Sequence, residues 1–174
     1  MMTIKTKSLM VLLIVAMIFL NNSACKVGYS FTGASIPPNV KTVSVMYFPN
    51  YAPLVNATLS QVFTQKLKDK FTSQTHLSVI ERNGDLQFEG QITDYTNQPT
   101  AIQQNQTAAQ NRLTITVKVK YTNTMDEKMS FESTFTKYAD YPSSQAFGAV
   151  EGELIKTISD QIVQDIFNKA VVNW

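Results

Sequence analysis

The sequence predicts an α+β fold: a two-layer sandwich in which two helices pack on one face of a four-stranded mixed or antiparallel sheet. Three observations favour this class. Several stretches alternate apolar and polar residues, which is typical of strands with one buried face. Two segments repeat apolar residues every three or four positions, as amphipathic helices do. The order along the chain is a strand, a helix, a block of strands and a second helix.

The first strand and the first helix lie in the first half of the chain. Residues 40–48 (VKTVSVMYF) alternate and predict a strand that ends at Pro49. Asn56 is a suitable N-cap for a helix that runs to about Ser73. This helix carries one apolar stripe, formed by Leu59, Val62, Phe63, Leu67 and Phe71. Because these positions share one side of a helix, the stripe predicts burial against the sheet.

The remaining strands follow this helix. Residues 77–80 begin a strand region that turns at Asn83-Gly84. Residues 85–95 (DLQFEGQITDY) alternate, and residues 112–122 (RLTITVKVKYT) alternate most clearly of all. Residues 130–139 (SFESTFTKYA) can pair with the preceding strand as a hairpin.

Two further segments complete the predicted domain. Residues 97–111 (NQPTAIQQNQTAAQN) are rich in Gln, Asn, Thr and Ala and predict a long polar loop. Such a loop is either a free surface segment or a segment ordered against a partner protein. The last helix shows helical spacing of its apolar residues, at Phe147, Val150, Leu154, Ile158, Ile162 and Ile166.

The N-terminus has the features of a secretory signal peptide over residues 1–24. Lys5 and Lys7 precede an unbroken apolar run of twelve residues, Leu9 to Leu20 (LMVLLIVAMIFL). As a helix this run would span about 18 Å, whereas the hydrocarbon core of a bilayer is about 30 Å thick. The alternative is an N-terminal helix of the folded domain, but no polar residue marks a solvent face on it.

Cys25 is the single cysteine of the chain and directly follows this segment. Ser23-Ala24-Cys25 resembles the lipobox of bacterial lipoproteins, although Asn22 stands where an apolar residue is usual. We therefore expect a diacylglyceryl thioether at Cys25; the alternative is a buried structural cysteine. Residues 25–38 are rich in Gly, Ser and Pro and form the predicted lipidated tether, which leaves residues 39–174 as a single domain.

The charge balance excludes a dedicated nucleic-acid binder. Removal of Lys5 and Lys7 with the signal peptide reduces the 15 basic residues to 13, which equals the 13 acidic residues. Nucleic-acid binding needs a basic excess to displace counterions. A neutral mature chain lacks that excess.

The chain is also short of catalytic groups. Its one histidine, His76, follows a polar run and is expected in a solvated turn. We find no nucleophile motif, no phosphate-binding glycine loop and no zinc-like spacing of ligands. The sequence therefore predicts a protein that is not an enzyme, with no catalytic residues, no metal site and no cofactor; a hydrolase is a distant alternative.

Three cations are candidates for binding an anion. Arg112, Lys118 and Lys120 alternate along the clearest strand, so they share its outward face. Lys118 and Lys120 are separated by about 6.6 Å at 3.3 Å per residue, which suits the phosphates of an anionic lipid headgroup. The alternative is a solvated sheet face whose lysines discourage edge pairing.

Four ordered blocks of the sequence resemble the LptE family of lipopolysaccharide-assembly lipoproteins. They are CKVGYSFTGASIPPNVKTVSV from Cys25, FPN after it, NRLTITVKVKYTN and the ending DIFNKAVVNW. The resemblance runs from Cys25 to Trp174. It implies two helices against a four-stranded sheet, in agreement with the fold predicted from the residues, and it implies lipid modification of Cys25.

The resemblance also implies a function. LptE-like proteins sit in the lumen of the outer-membrane barrel LptD, assist its assembly and contact lipopolysaccharide during delivery to the cell surface. We therefore expect an outer-membrane, periplasm-facing lipoprotein with an LptD-like barrel and lipopolysaccharide as partners. Arg112, Lys118 and Lys120 are the candidate lipopolysaccharide-binding residues. The alternative is a periplasm-facing scaffold or secretion-associated lipoprotein without lipid cargo.

Overall fold

The computed structural model describes residues 36–100 and 109–171, so the predicted signal peptide and Cys25 lie outside the described residues. Two helices and five strands are present within these ranges. The strands are β1 (Thr42–Val45), β2 (Ser78–Ile80), β3 (Leu86–Pro99), β4 (Gln110–Asn123) and β5 (Phe131–Pro142). The helices are α1 (Leu59–Gln74) and α2 (Phe147–Val171). A short 3₁₀ turn, Glu127–Met129, connects β4 to β5.

The strands form one mixed sheet in the order β2-β1-β3-β4-β5. β1 runs parallel to both of its neighbours, whereas β4 runs antiparallel to both β3 and β5. The predicted α+β class with two helices on a mixed sheet is confirmed. The predicted strand count of four is wrong, because Ser78–Ile80 is a separate strand that adds to the outer edge of β1.

A tight crossover connects β2 to β3, and it makes β2 a separate edge strand of the sheet. β2 and β3 lie on opposite sides of β1, so residues 81–85 must cross that strand. Asn83 adopts the left-handed conformation with φ of 59°. A Cβ atom on Gly84 would lie 2.6 Å from the backbone nitrogen of Ser44. The predicted turn at Asn83-Gly84 is therefore a place where the chain needs a residue without a side chain.

The predicted polar loop at 97–111 is too long. β3 continues to Pro99 and β4 begins at Gln110, and the two strands remain paired up to Pro99 and Asn111. Asn97 is an example of a polar residue in this extension: its side-chain nitrogen donates to the hydroxyl of Tyr141 at 2.9 Å. The composition indicates a loop because polar strand residues with such partners look the same in sequence as loop residues.

The core lies between the helices and the inner face of the sheet. The α1 stripe is confirmed, with Val62 half-buried and the other members fully buried. The spacing in α2 is confirmed as well, since Leu154, Ile158, Ile162 and Ile166 are buried and Phe147 and Val150 pack partly against the core. Phe71 joins the two layers, because its ring lies 4.9 Å from that of Phe88 on β3 and 5.3 Å from that of Phe167 on α2.

A polar network fixes the connection between β1 and α1. The predicted N-cap position is wrong by two residues, because Thr58 is the N-cap of α1; the Asn56 side chain nevertheless accepts hydrogen bonds from the backbone nitrogens of Thr58 and Leu59 at 2.9 and 3.1 Å. Its side-chain nitrogen donates to Glu151 of α2 at 2.8 Å, and the Tyr95 hydroxyl donates to the same carboxylate oxygen at 2.5 Å. Burial, reinforced by this hydrogen bond, raises the pKa of Tyr95, so the hydroxyl keeps its proton as donor.

Asp85 ties the start of β3 to the start of β1. One carboxylate oxygen accepts from the Lys41 and Thr42 backbone nitrogens at 2.8 and 2.9 Å and from the Thr42 hydroxyl at 2.9 Å. The hydrogen bond from the Lys41 backbone is the main cause that lowers the pKa of Asp85, followed by the two from Thr42. The charged carboxylate is therefore the form that the fold stabilises.

Replacement of Asp85 is expected to destabilise the domain at neutral pH. Asp85→Ala should cost about 2 kcal/mol in the free energy of unfolding, because three donors lose their acceptor; Asp85→Asn should cost about half of that, since it keeps an oxygen but no charge. Because the pKa of Asp85 is lower in the folded than in the unfolded state, its carboxylate stabilises the fold at pH values above the unfolded-state pKa of about 3.9. This stabilisation is lost as the pH falls through the folded-state pKa. Urea unfolding at several pH values should show the gap between wild type and Asp85→Asn narrowing below about pH 4; a constant gap would contradict this role.

Candidate anion-binding face of the sheet

The outer face of the sheet carries the predicted cations. Along β4 the odd positions from Leu113 to Tyr121 are buried and the even positions from Arg112 to Lys120 are half-buried or exposed, as the alternation predicted. Pairing with β3 and β5 places their outward residues in rows beside those of β4. The helices cover the opposite face, so the outer face remains open to solvent.

Lys118 and Lys120 lie in a cluster with two carboxylates, which we call the lysine cluster: Glu89, Lys118, Lys120 and Glu132. The register places Glu89 and Glu132 directly on either side of Lys120. The Lys120 ammonium lies 2.7 Å from Glu89, and the Lys118 ammonium lies 2.5 Å from Glu132. Together with Gly90 and Gln91 these residues line an open depression of about 330 Å³.

Arg112 lies apart from this cluster. It is six residues from Lys118 on the same strand, which corresponds to about 20 Å at 3.4 Å per residue. Its guanidinium makes two hydrogen bonds to Asp140, at 2.7 and 2.9 Å, and stacks 3.6 Å above the ring of Tyr138. The structure therefore brings two of the three predicted cations together and places the third in a separate, closed arrangement.

The ion pairs determine the charge states of this face. The hydrogen bond to Glu89 raises the pKa of Lys120, and the one to Lys118 lowers the pKa of Glu132. The hydrogen bond between Arg112 and Asp140 likewise raises the pKa of the guanidinium and lowers that of the carboxyl. These four shifts favour the charged forms of Lys120, Glu132, Arg112 and Asp140. The cations of the lysine cluster are half exposed, and pairs of this kind exchange partners at low cost.

Threonines separate the two charged regions. Thr114 and Thr116 on β4 face Tyr138 and Thr136 on β5, and the hydroxyls of Thr116 and Thr136 lie 3.0 Å apart. Such a surface offers hydrogen bonds without a strong nucleophile or a proton-transfer group. It is suited to docking and to binding an anion.

Sequence reasoning missed the acidic partners of the cations. Alternation predicts Glu89 on an outward strand face, but it assigns no role to Glu132 or Asp140. The signal that could have revealed them is the register of the β4–β5 hairpin, which places Glu132 opposite Lys120 and Asp140 opposite Arg112. That register depends on where the turn at residues 124–130 begins, and strand alternation alone leaves it undetermined.

Three further features bear on the chemistry of the domain: the histidine, possible metal ligands and possible membrane-spanning helices. His76 is exposed in a bend after α1, as predicted, with its Nε2 atom 3.3 Å from the Val40 carbonyl oxygen. Within residues 36–100 and 109–171, no group of three or more His, Cys, Asp or Glu side chains could hold a metal ion. In the same part of the chain, no helix is long and apolar enough to cross a membrane.

The fold and this open, ion-paired face define a small α+β domain with a solvent-exposed sheet face. Residues 40–170 match the model of the LptE family, described as lipopolysaccharide-assembly. Because the match covers most of the chain, the protein belongs to the LptE family of lipopolysaccharide-assembly lipoproteins, a non-catalytic family of the outer membrane. The family resemblance seen in the sequence is thereby confirmed.

Solved structures share the fold at low sequence identity. Protein XCC0632 from Xanthomonas campestris is 10% identical with a TM-score of 0.52, over 80% of this chain and 90% of its own. The hypothetical protein CT253 from Chlamydia trachomatis is 11% identical with a TM-score of 0.51, over 76% and 99%. These two likenesses establish a common fold. A minor lipoprotein from Acinetobacter baumannii is 18% identical with a TM-score of 0.46, over 71% and 91%. A search of curated proteins gave no match.

Proposed function

We propose that this protein is a non-catalytic plug and assembly partner of an LptD-like outer-membrane barrel and contacts lipopolysaccharide during its insertion. The observation that carries the proposal is the family match over residues 40–170. The surface chemistry supports it, because the lumen of an outer-membrane barrel is polar. A sheet face of threonines and paired charges can lie against such a wall without burying unsatisfied groups.

We also propose that lipid on Cys25 anchors the domain to the outer membrane from the periplasmic side. The support is the lipobox-like Ser23-Ala24-Cys25, which follows an apolar run shorter than a helix needs to cross the hydrocarbon core. More than one acyl chain is needed for stable anchoring, and the modification of bacterial lipoproteins provides that number.

Within this function we assign lipopolysaccharide binding to Lys118 and Lys120, with Arg112 a weaker candidate. Phosphate groups form charge-assisted hydrogen bonds with ammonium groups. In the lysine cluster a phosphate must compete with Glu89 and Glu132, which are half exposed and held only by these pairs. Arg112 is less available because Asp140 already occupies two of its donors.

This competition predicts changes of affinity in opposite directions. Lys118→Glu with Lys120→Glu should weaken binding of purified protein to lipopolysaccharide at least about tenfold, which corresponds to about 1.4 kcal/mol. Glu89→Gln with Glu132→Gln should strengthen binding, because the lysines are released. The matched control, Lys68→Glu with Lys156→Glu on the helices, makes the same change in net charge and should leave binding nearly unchanged. Titrations at physiological ionic strength suppress long-range attraction.

The outcomes of these titrations separate the candidate functions. Equal losses of lipopolysaccharide affinity in the sheet variant and the helix variant would show a general charge effect and contradict the assigned site. Absence of saturable binding by the wild-type protein would contradict the lipid contact and favour the scaffold without lipid cargo.

A further inference from the structure

The connection between β1 and α1 displays apolar side chains to solvent. Five large apolar residues there are between 39% and 68% exposed, namely Met46, Tyr47, Tyr51, Leu54 and Val55. We call residues 46–55 the apolar loop. Only three other large apolar residues in the described part of the chain are exposed, at 36%, 49% and 50%. Concentrated exposure of this kind marks an interaction surface.

The exposure is built into the fold. Phe48 and Ala52 alternate with the exposed tyrosines and are buried, and the ring of Phe48 packs 5.1 Å from that of Phe63. The Tyr51 nitrogen donates to the Ile92 carbonyl, and the Ile92 nitrogen donates to the Pro49 carbonyl, each at 2.9 Å. The backbone is therefore held in place with its exposed side chains directed outward before any partner arrives, which lowers the ordering cost of binding.

The loop is also free of charge. Residues 42–65 contain no Lys, Arg, Asp or Glu, although charged residues make up 16% of the chain. The outer sheet face, by contrast, is rich in ion pairs. None of the loop's own side chains is ionised, which favours their entry into an apolar environment, although Arg82 and Glu89 line a depression together with Met46 at its start.

We propose that the apolar loop inserts into the interfacial region of a phospholipid bilayer. Tyr47 and Tyr51 suit the level of the headgroups, where amphipathic rings concentrate, and Leu54 and Val55 suit the outer acyl region. The five side chains carry no charge and no hydrogen-bonding group apart from the two tyrosine hydroxyls, so the loop has little to offer a polar partner surface. The loop therefore fits a lipid surface to which the chain is already tethered.

The tether length is compatible with this placement. Val40 lies fifteen positions after Cys25, and an extended chain of that length spans at most about 50 Å. The inference uses the proposed anchor at Cys25 and does not depend on lipopolysaccharide binding or on a barrel partner.

Fluorescence quenching by lipids tests the proposal on the full mature protein. Tyr51→Trp and, as matched control, Tyr138→Trp on the sheet face each replace an exposed tyrosine, both combined with Trp174→Phe to remove the native signal. The proteins are reconstituted in vesicles of phosphatidylethanolamine and phosphatidylglycerol with acyl-brominated phosphatidylcholine. A loop that lies about 5–10 Å deep in the interface should give Tyr51→Trp a blue-shifted emission maximum and quench roughly half of its emission. The Tyr138→Trp control should keep its emission.

Flotation of the same vesicles reports separately whether the protein is anchored, so a failed anchor is distinguishable from a failed loop contact. Equal emission of Tyr51→Trp with and without brominated lipid, in protein that floats, would overturn the proposal. A blue shift of the Tyr51→Trp emission that develops only after a co-purified barrel protein is added would also overturn the proposal, because it would indicate a protein contact.

Discussion

Replacement of Gly90 by alanine is expected to cost about 3 kcal/mol in the free energy of unfolding, at the upper end of overpacking effects. A Cβ atom at this position would lie 2.1 Å from the Lys118 carbonyl oxygen and 2.7 Å from a ring carbon of Phe48. The first neighbour is backbone of the adjacent strand and the second is a fully buried ring. Neither can move without separating β3 from β4 or displacing Phe48.

Gly152→Ala provides the matched control for this prediction. Gly152 lies in α2, and a Cβ atom there would have no neighbouring atom within 4 Å, so alanine should stabilise the domain by about 0.5–1 kcal/mol through helix propensity. Urea unfolding of both variants measures the two effects. A Gly90→Ala protein as stable as wild type would contradict the close approach of β3 and β4.

Phe71→Ala is expected to cost about 4 kcal/mol, within the range for aromatic-to-alanine changes in a core. Phe71 is fully buried and is the residue of α1 that contacts aromatic rings of both the sheet and α2. Its removal leaves a cavity at the junction of all three, and it also removes two aromatic pairs worth about 0.5–1.5 kcal/mol each.

The control for this substitution is Phe71→Leu, which retains most of the volume and should cost less than about 2 kcal/mol. The measurement is the midpoint and slope of urea unfolding for the three proteins. Equal stability of the alanine and leucine variants would show that Phe71 does not hold α1 to the sheet, which would contradict the packing of the two layers through this residue.

The periodicity of the sequence predicts the layers because burial imposes it directly. A residue such as Ile158 can be assigned to the core from its spacing alone, since a helix on a sheet has one apolar side. The inward row of β4 is predictable for the same reason, with period two instead of 3.6.

Edges and registers are not predictable in this way. β2 is only three residues long, and its parallel pairing depends on a crossover that requires Gly84 beside the backbone of Ser44. The ends of β3 and β4 are polar, so Asn97 and Asn111 resemble loop residues. In both cases the deciding interaction is with a residue distant along the chain, which local pattern does not encode.

Only part of the candidate site can be predicted from the sequence. The shared face of Lys118 and Lys120 follows from alternation, whereas their pairing with Glu132 and Glu89 follows from register. The apolar loop shows the same limit. Tyr47 and Phe48 are adjacent aromatic residues, yet one is 60% exposed and the other is fully buried, and the difference lies in how the chain leaves β1.

The most direct test of the proposed role is quantitative mass spectrometry of the outer membrane after depletion of this protein in its own cells. A plug and assembly partner should be needed for its barrel, so the abundance of an LptD-like barrel should fall together with surface lipopolysaccharide. Other outer-membrane barrels should remain at their normal levels. Unchanged abundance of the LptD-like barrel, with normal surface lipopolysaccharide, would contradict the proposed function.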